Sequence, residues 1–465
     1  MSPAVGNTIQ DERPVVQLTR DWGDWTSVSL YLSRCQVDTP PDLIQLTWDH
    51  VKRLRPQPGK VIDFGAGDAR FSKQGVYQEY LGYEIDEERC ISAQLPDNVR
   101  LINRCAFSDE IIDADLCIGN PPFVRNQDLP YEWRQHAANV LFRRIGVSVS
   151  GIANAWQYFF LLGLASVKPN GLCALIVPYE WVSRPSVRAL HNYIEHNRWH
   201  VTVYRLSDRR FGKVLTTSSI TIVDKARQDG LWEYFQETTP GEFRPLPSPT
   251  GAASGILPYA RKSDIPAGAP RAMRGLSPGT QKVLTLTEGE RIRNGLRIDS
   301  DVVPCVTSLR NLPSDSTDLD TATFQRYFRD KGQKCWLIRT DKPMTSALAL
   351  YLHSVPSSDY QTATCLERES WWKFIMPPTP QVLLAQSFKK AFPKRVRNTV
   401  GARAVGSVCG IYNVTEEQIR QILGAFGDMD LRKRVVAHAN AFRKVEINQL
   451  NALLRDSFGD SGLCG

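Results

Sequence analysis

The segment Ile118-Gly-Asn-Pro-Pro-Phe123 places two hydrogen-bond acceptors at one rigid corner. Asn120 carries a side-chain carbonyl. The backbone carbonyl of Pro121 is held in a fixed direction, because Pro121 and Pro122 lock their backbone angles and supply no N–H. Two acceptors aimed at one point suit an exocyclic NH2 group. Accepting both of its hydrogens draws the nitrogen away from planarity and frees its lone pair to attack a methyl donor. Phe123 can stack on the face of a planar base. A structural Asn-Pro turn would carry the same residues, so the corner gains meaning only from what precedes it.

What precedes it is Val61-Ile-Asp-Phe-Gly-Ala-Gly-Asp68, a short apolar strand running into a turn with two glycines. Gly65 and Gly67 permit positive φ and let a ligand approach the backbone. The carboxyl end of a first strand is where open α/β sheets bind ligands. Glu84 follows Gly65 by 19 residues and ends a second strand, where a carboxylate can accept both ribose hydroxyls. The pair reads as a nucleoside-cofactor site. A dinucleotide fingerprint would require a third glycine, and Arg70 stands there instead. The acids Asp63 and Asp68 repel a pyrophosphate and suit a cationic sulfonium or ammonium. On these residues S-adenosylmethionine fits better than NAD, while a plain strand-to-helix connection would also use glycines.

The elements needed to position these groups are legible as alternating apolar segments. Strands are expected at 60–64, 80–84, 115–119, 172–177 and 219–223, with helices at 41–54, 87–93, 155–167 and 185–197. That alternation argues for a mostly parallel, doubly wound sheet. From about Pro240 to Gly279 Pro, Gly, Ser and Ala dominate, which reads as a linker or crossing segment. Beyond it the pattern is irregular, with helices expected at 416–426 and 431–458. The division expected is a catalytic domain over 1–240 and a second domain over 241–465.

Composition narrows the class. The chain has 465 residues, 42% hydrophobic and 23% charged, values of an ordinary globular protein. These exclude global disorder, a collagen-like chain and a coiled-coil rod. No apolar run approaches the roughly 20 residues of a membrane span, and residues 1–13 are polar with no signal-peptide core, so no membrane partner and a cytoplasmic location are expected. The ten cysteines form no CxxC pair. They are read as free thiols, and no residue is assigned to a metal. Residues 1–226 carry 25 basic and 25 acidic side chains, and residues 227–465 carry 32 and 24. The whole net charge of +8 therefore lies in the second half, which suits a polyanion partner or a solvated basic surface.

The order and identity of these motifs resemble the gamma class of DNA adenine-N6 methyltransferases, the NPPY/F amino-methyltransferases of type II restriction-modification systems. The resemblance covers residues 35–225. Asp38-Thr39-Pro40-Pro41 resembles the segment that contacts the methionine part of the cofactor, Val61–Gly67 the glycine motif, and Gly82–Asp86 the ribose motif around Glu84. Asn120–Arg125 is similar to the catalytic motif, while Lys168–Gly171 and Val177–Trp181 resemble the strand-and-turn motifs that follow it. Arg210-Phe-Gly-Lys213 resembles the segment whose aromatic stacks on a flipped base, a role that falls to Phe211. The third motif departs from the family, because Asn103–Ser108 lacks the acid that contacts the cofactor's adenine amino group; Phe107 is expected to pack on that adenine, and the nearest acid is Asp109.

The resemblance implies an α/β fold, a Rossmann-like S-adenosylmethionine-dependent methyltransferase sheet with a C-terminal mixed α+β target-recognition domain. It implies S-adenosylmethionine as cofactor and double-stranded DNA as partner. Asn120, Pro121, Pro122 and Phe123 become catalytic; Thr39, Pro40, Asp63, Gly65, Gly67, Glu84 and Phe107 bind cofactor; Phe123 and Phe211 stack on the target base. A cognate restriction endonuclease encoded nearby is implied by the resemblance alone, with no stable complex. In the second domain Arg274-Gly-Leu-Ser-Pro-Gly-Thr280 resembles the turn opening many recognition domains. Lys389, Lys390, Lys394, Arg395 and Arg397, near Phe388, Phe392, Trp371 and Trp372, could follow a phosphate backbone or form a solvated face over core aromatics. Enzymes that methylate an RNA base or a protein glutamine also use an Asn-Pro-Pro corner, and a non-catalytic DNA-binding module could keep the same fold.

Overall fold

A computed structural model of the chain describes residues 37–108, 112–207, 210–211, 217–249, 256–424, 426, 429–435, 437–439 and 442–458. Its contacts divide into two compact units that meet between Ser248 and Pro249.

The first unit is a mixed α/β structure around one large sheet. Five strands pair in parallel: β1 (Lys60–Phe64), β2 (Glu79–Glu84), β3 (Val99–Asn103), β4 (Ala114–Gly119) and β5 (Val167–Pro178). β6 (His200–Arg205) and β7 (Ser218–Asp224) follow, with β7 inserted antiparallel between β5 and β6. β8 (Trp232–Thr239) pairs parallel with β6, and β9 (Glu242–Pro245) closes the edge as a hairpin. The order is β3-β2-β1-β4-β5-β7-β6-β8-β9. That hairpin turns at Gly241, so the sheet of the first unit continues past residue 240. Strands covered on both faces must be apolar on both faces, which is why Val61–Phe64 and Leu172–Pro178 are buried without interruption.

Helix α1 (Pro41–Leu54) opens on a proline, whose fixed φ suits a first helical position, and it buries Leu43, Ile44, Trp48 and Val51 at helical spacing. The Trp48 indole N–H donates to the Phe71 carbonyl at 2.8 Å. Helix α2 (Glu87–Ser92) is capped by Asp86, which accepts from the backbone N–H groups of Glu88 and Arg89. Helix α3 (Tyr131–Ile145) buries only Ala137, Val140 and Leu141. Helix α4 (Ala155–Ser166) is buried nearly all round, and α5 (Arg188–His196) covers the sheet through Leu190 and Ile194. Strands β3, β6 and β8 and helix α3 were not expected from sequence. The narrow apolar stripe of α3, among seven polar or charged neighbours of mixed sign, is too weak a periodic signal to stand out.

The second unit is built on smaller, mainly antiparallel sheets. One orders the strands Arg271–Met273, Val408–Tyr412, Val382–Ala385, Arg395–Asn398 and Asp318–Leu319; another orders Thr285–Leu286, Trp336–Ile338, Val302–Val306 and Arg403–Ala404. The helix expected over 416–426 ends at Leu423 before Gly424. The single helix expected over 431–458 is corrected to a short 3-10 turn Leu431–Lys433, strands Ala437–Ala439 and Phe442–Lys444, and a helix Ile447–Phe458. The Val445 N–H donates to the Gln386 carbonyl at 3.1 Å, so this stretch pairs as sheet beside Ser387–Phe388 before the helix starts. Among the described residues no helix is long and apolar enough to cross a membrane, and the eight described cysteines are free.

Gly163 of α4 packs closely on the sheet, where an added Cβ would lie 2.9 Å from Cys117 Sγ and 3.1 Å from Cys173 Sγ. Gly163→Ala should therefore lower stability by about 1–3 kcal/mol through overpacking, and adding Cys117→Ala should recover most of that loss in urea denaturation. Additive losses in the double variant would show that the contact does not limit packing.

Candidate functional site

The strand order reverses between β1 and β4, and there the carboxyl ends of β1, β2 and β4 meet, the crevice where open α/β sheets take ligands. β1 runs into Gly65 and Gly67, at φ of 79° and 59°. The Gly65 and Ala66 N–H groups both donate to the Tyr83 carbonyl at 2.9 Å. The Gly67 N–H donates to Glu84 Oε2 at 2.8 Å, while Glu84 Oε1 accepts from the Ile85 and Asp86 N–H groups at 2.8 and 2.9 Å. The carboxylate that ends β2 is thus buried and fixed by three backbone donors.

The corner after β4 lies against this turn. A Cβ added at Gly65 would sit 3.0 Å from Pro122 Cδ, so only glycine lets the two loops meet. The Asn120 amide nitrogen donates to Thr39 Oγ1 at 3.1 Å. Its carbonyl oxygen is buried and has no hydrogen-bond partner among the described residues. Thr39 belongs to a strap ahead of α1, which Asp38 ties down by ion pairs to Arg70 at 3.2 Å and Arg89 at 3.1 Å. Arg70, the residue that breaks the dinucleotide pattern, also pairs with Asp68 at 2.7 Å.

These elements border a cavity of about 1040 Å³, its open mouth included. Of the residues singled out by sequence, Gly65, Gly67, Glu84, Asn120 and Pro122 line it. Thr39 and Pro40 stand behind: Thr39 holds Asn120, and the Pro40 carbonyl accepts the first helical N–H groups of α1. Pro121 is buried, and Phe123 is half-buried and stacks on no other described ring. Sequence reasoning missed the aromatic part of the lining, Trp133 and Phe159, together with Ile85, Ala106 and Asp128. Trp133 and Phe159 lie in helical stretches where an aromatic reads as ordinary core.

Two expected cofactor contacts are corrected. Asp63 does not line the cavity. Its Oδ2 accepts from the Tyr80 hydroxyl at 2.6 Å, and its Oδ1 lies 2.1 Å from where a Gly119 Cβ would stand. Burial pushes this carboxyl up to about 7, with Glu84 and Asp68 adding to the rise and the Tyr80 hydrogen bond opposing it. Phe107 is 1% exposed and packs edge-on against Trp133 and Phe159, at 5.4 and 5.3 Å. It supports the lining aromatics and is not itself part of the lining. Phe211 packs against the core of the first unit. The adjacent Arg210 pairs with the buried Glu237, 2.6 Å away, and with Asp42 at the start of α1. Gly212 and Lys213, like Asp109, lie outside the described residues.

The basic residues expected to follow DNA divide into two groups. Arg274, Lys389 and Lys390 are exposed. Lys394 donates to the Leu312 carbonyl, Arg397 pairs with Glu416 at 2.9 Å, and Arg395 donates to the last carbonyls of the helix Glu416–Leu423, reaching Leu423 at 2.6 Å. These three are committed within the unit, Arg395 because the carbonyls at a helix C-terminus attract cations. Phe388 and Phe392 are buried, and Trp371 and Trp372 pack on a core cluster, Trp371 stacking on Tyr360 at 4.2 Å. Of the aromatics named for this surface, Phe388 and Phe392 are therefore core, and Trp371 and Trp372 are half-buried against it.

With that geometry in place, the chain can be compared with known proteins. Residues 23–211 match the family described as Eco57I restriction-modification methylase. The match spans the strap, the glycine turn, Glu84 and the Asn120 corner. The structure of the type IIL restriction-modification enzyme MmeI in complex with DNA is similar over 91% of this chain and 66% of that one, at 11% identity and a TM-score of 0.55. This similarity establishes a shared fold. The type IIG restriction endonuclease BpuSI matches over 92% of this chain and 61% of that one, at 11% identity and a TM-score of 0.40. The type I methyltransferase subunit from Streptococcus thermophilus matches over 45% and 50%, at 16% identity and a TM-score of 0.36. The chain spans half to two thirds of the length of these three proteins.

Asp63 also sets a pH dependence. Its folded value near 7 stands above the usual 3.8, so between about pH 4 and pH 7 the folded state holds a proton that the unfolded chain has lost. Stability from this group is present below that window and falls as pH rises through it. Asp63→Asn should flatten the decline in melting temperature between pH 4 and pH 8 and melt above the parent at pH 8. Parallel pH profiles for the two proteins would contradict this.

Proposed function

We propose that the protein is a site-specific DNA methyltransferase that moves a methyl group from S-adenosylmethionine to the N6 amino group of an adenine, serving as the modification part of a restriction-modification system. The observation that carries this reading is the buried Asn120 carbonyl, which has no hydrogen-bond partner among the described residues, on the wall of the cavity that Gly65, Gly67 and Glu84 also line. An unsatisfied buried acceptor costs about 1–3 kcal/mol, a cost that a donor entering the cavity would remove. The restriction-modification methylase family matched by residues 23–211 supports the substrate class, as does the fold shared with a DNA-bound enzyme.

The chain's residues fit the cofactor. The glycine turn leaves room for close backbone approach, and each Glu84 oxygen retains accepting capacity beyond its bonds to backbone N–H groups. Gly65, Gly67 and Glu84 would hold the nucleoside side, with Trp133 and Phe159 toward the base. S-adenosylmethionine, when bound, supplies a methyl group on a positively charged sulfur. Asn120 and the Pro121 carbonyl accept the two hydrogens of the target amine and thereby localise its lone pair. Thr39 orients the Asn120 amide so that its oxygen, not its nitrogen, is offered.

The adenine reaches this corner by leaving the duplex, at a cost of a few kcal/mol. Stacking on an aromatic side chain returns about 1–3 kcal/mol per base. Phe123, beside the corner, takes one face, and Phe211 the other. Arg274, Lys389 and Lys390 are exposed on the second unit, where they would meet phosphates.

Asn120→Ala should reduce methyl transfer by at least about 100-fold, the scale of removing one hydrogen-bonding group from a reacting centre, while cofactor binding stays nearly unchanged. Glu84→Ala should instead weaken cofactor binding about tenfold or more, as loss of a charged hydrogen-bond partner does. Tritiated cofactor offered with duplex DNA, RNA and ribosomes reads the substrate. Label in RNA or ribosomal protein would redirect the assignment, tight DNA binding without label would make the chain a binding module, and full activity in Asn120→Ala would remove the catalytic corner.

A further inference from the structure

We infer that Asp128 is the residue that recognises the exocyclic amino group of the cofactor's adenine. The inference rests on the proposed reading of the cavity as an S-adenosylmethionine site. An adenine amino group brings two N–H donors into whichever end of the cavity receives the base, and the lining there is rich in Trp133, Phe159, Ile85 and Ala106. A donor buried against apolar walls needs an acceptor. Two carboxylates are found among the described lining residues, Glu84 and Asp128.

Glu84 is committed at the end of β2, where three backbone N–H groups fix it beside the glycine turn. Asp128 is placed differently. It closes the short 3-10 turn Asn126–Asp128 that follows the Asn120 corner, directly before the lining residues Leu129 and Pro130 and one turn of chain ahead of Trp133. Its Oδ2 accepts from Arg125 at 2.8 Å, and Oδ1 has no hydrogen-bond partner among the described residues. Arg125 is 64% exposed, and such a surface pair holds its partner only weakly.

The turn is also firmly mounted. The Asn126 N–H donates to Asn154 Oδ1 at 3.0 Å, the Asn126 amide donates to the Gly151 and Ala153 carbonyls, and the Ala155 N–H donates to the Val124 carbonyl at 2.9 Å. Those bonds join the turn to the start of α4, the helix that carries Phe159. The acceptor and an aromatic of the base-binding wall therefore move as one piece. Among the described residues the loop after β3 contributes Arg104, Cys105 and Ala106 to the lining and no acid, and Asp128 supplies an acceptor there.

The test compares two ligands in the full-length protein by calorimetry: S-adenosylhomocysteine and its 6-oxo counterpart, in which inosine replaces adenosine. The parent should prefer the amino ligand by about tenfold or more, the scale of one hydrogen bond to a charged group. Asp128→Asn should erase that preference, because the amide can also donate to a 6-oxo group, and it should bind the 6-oxo ligand more tightly than the parent does, which also verifies that the variant is folded. A preference kept in Asp128→Asn overturns the inference, as does a preference abolished instead by Asp109→Asn. If the parent binds neither ligand, the cofactor reading itself fails, and the inference with it.

Discussion

The site depends on one oxygen, the Asn120 carbonyl, being held buried with no hydrogen-bond partner among the described residues. A buried amide carbonyl without a partner is an expensive state, and it persists only because the surroundings leave Asn120 no alternative. Its nitrogen is taken by Thr39. Its backbone is followed by two prolines that offer no N–H to fold back on it. The loop opposite is pressed against Pro122 at a position where only glycine fits. Remove any one of these and the side chain could rotate, or the gap fill. The carbonyl would then find a donor within the protein and cease to be available to a ligand.

The same constraint explains why some parts of the fold could be read in advance. A corner of this kind must sit at the end of a central strand, and central parallel strands are apolar on both faces. β1, β4 and β5 therefore stand out as short unbroken apolar runs, and the helices between them show a 3.6-residue period wherever one face alone is buried, as in α1. Peripheral elements lack this signature. β3 lies at a sheet edge with three of its five residues half-buried, and α3 touches the core through a narrow stripe. In the second unit, strands of two to five residues in separate small sheets carry too few residues to establish any period. The stretch 431–458 illustrates the result, because its apolar residues serve a sheet and a helix in succession.

Residue type was easier to read than direction. Asp63 at the end of β1 and Phe107 in the loop after β3 belong to the right segments, yet one turns toward Tyr80 under Gly119 and the other packs behind Trp133. Successive side chains of a strand point to opposite faces, and no feature of a single sequence says which face will border the ligand. The basic cluster after Phe392 makes the same point. Arg395 is drawn to the carbonyl end of a helix that follows it by some twenty residues, a contact that depends on tertiary placement. Its charge contributes to the basic excess of the second half while its guanidinium is already occupied. Net charge counts groups, but only the exposed and uncommitted ones among them can meet a polyanion.

The site therefore has two mechanical parts of different strength. The glycine turn, Glu84 and the corner are held by backbone hydrogen bonds at the ends of buried strands, whose loss would cost the sheet itself. The strap that carries Thr39 is held by Asp38, which is 54% exposed, through two arginines. Exposed pairs of that kind contribute about 0–1 kcal/mol each. The strap is nonetheless the element that orients the Asn120 amide. A site built this way keeps its framework on buried strands and orients the Asn120 amide through a segment fastened by partly exposed ion pairs. The Thr39–Asn120 hydrogen bond, running from a half-buried amide to a buried hydroxyl, joins the two parts, so the orientation of the carbonyl depends on whether that strap is seated.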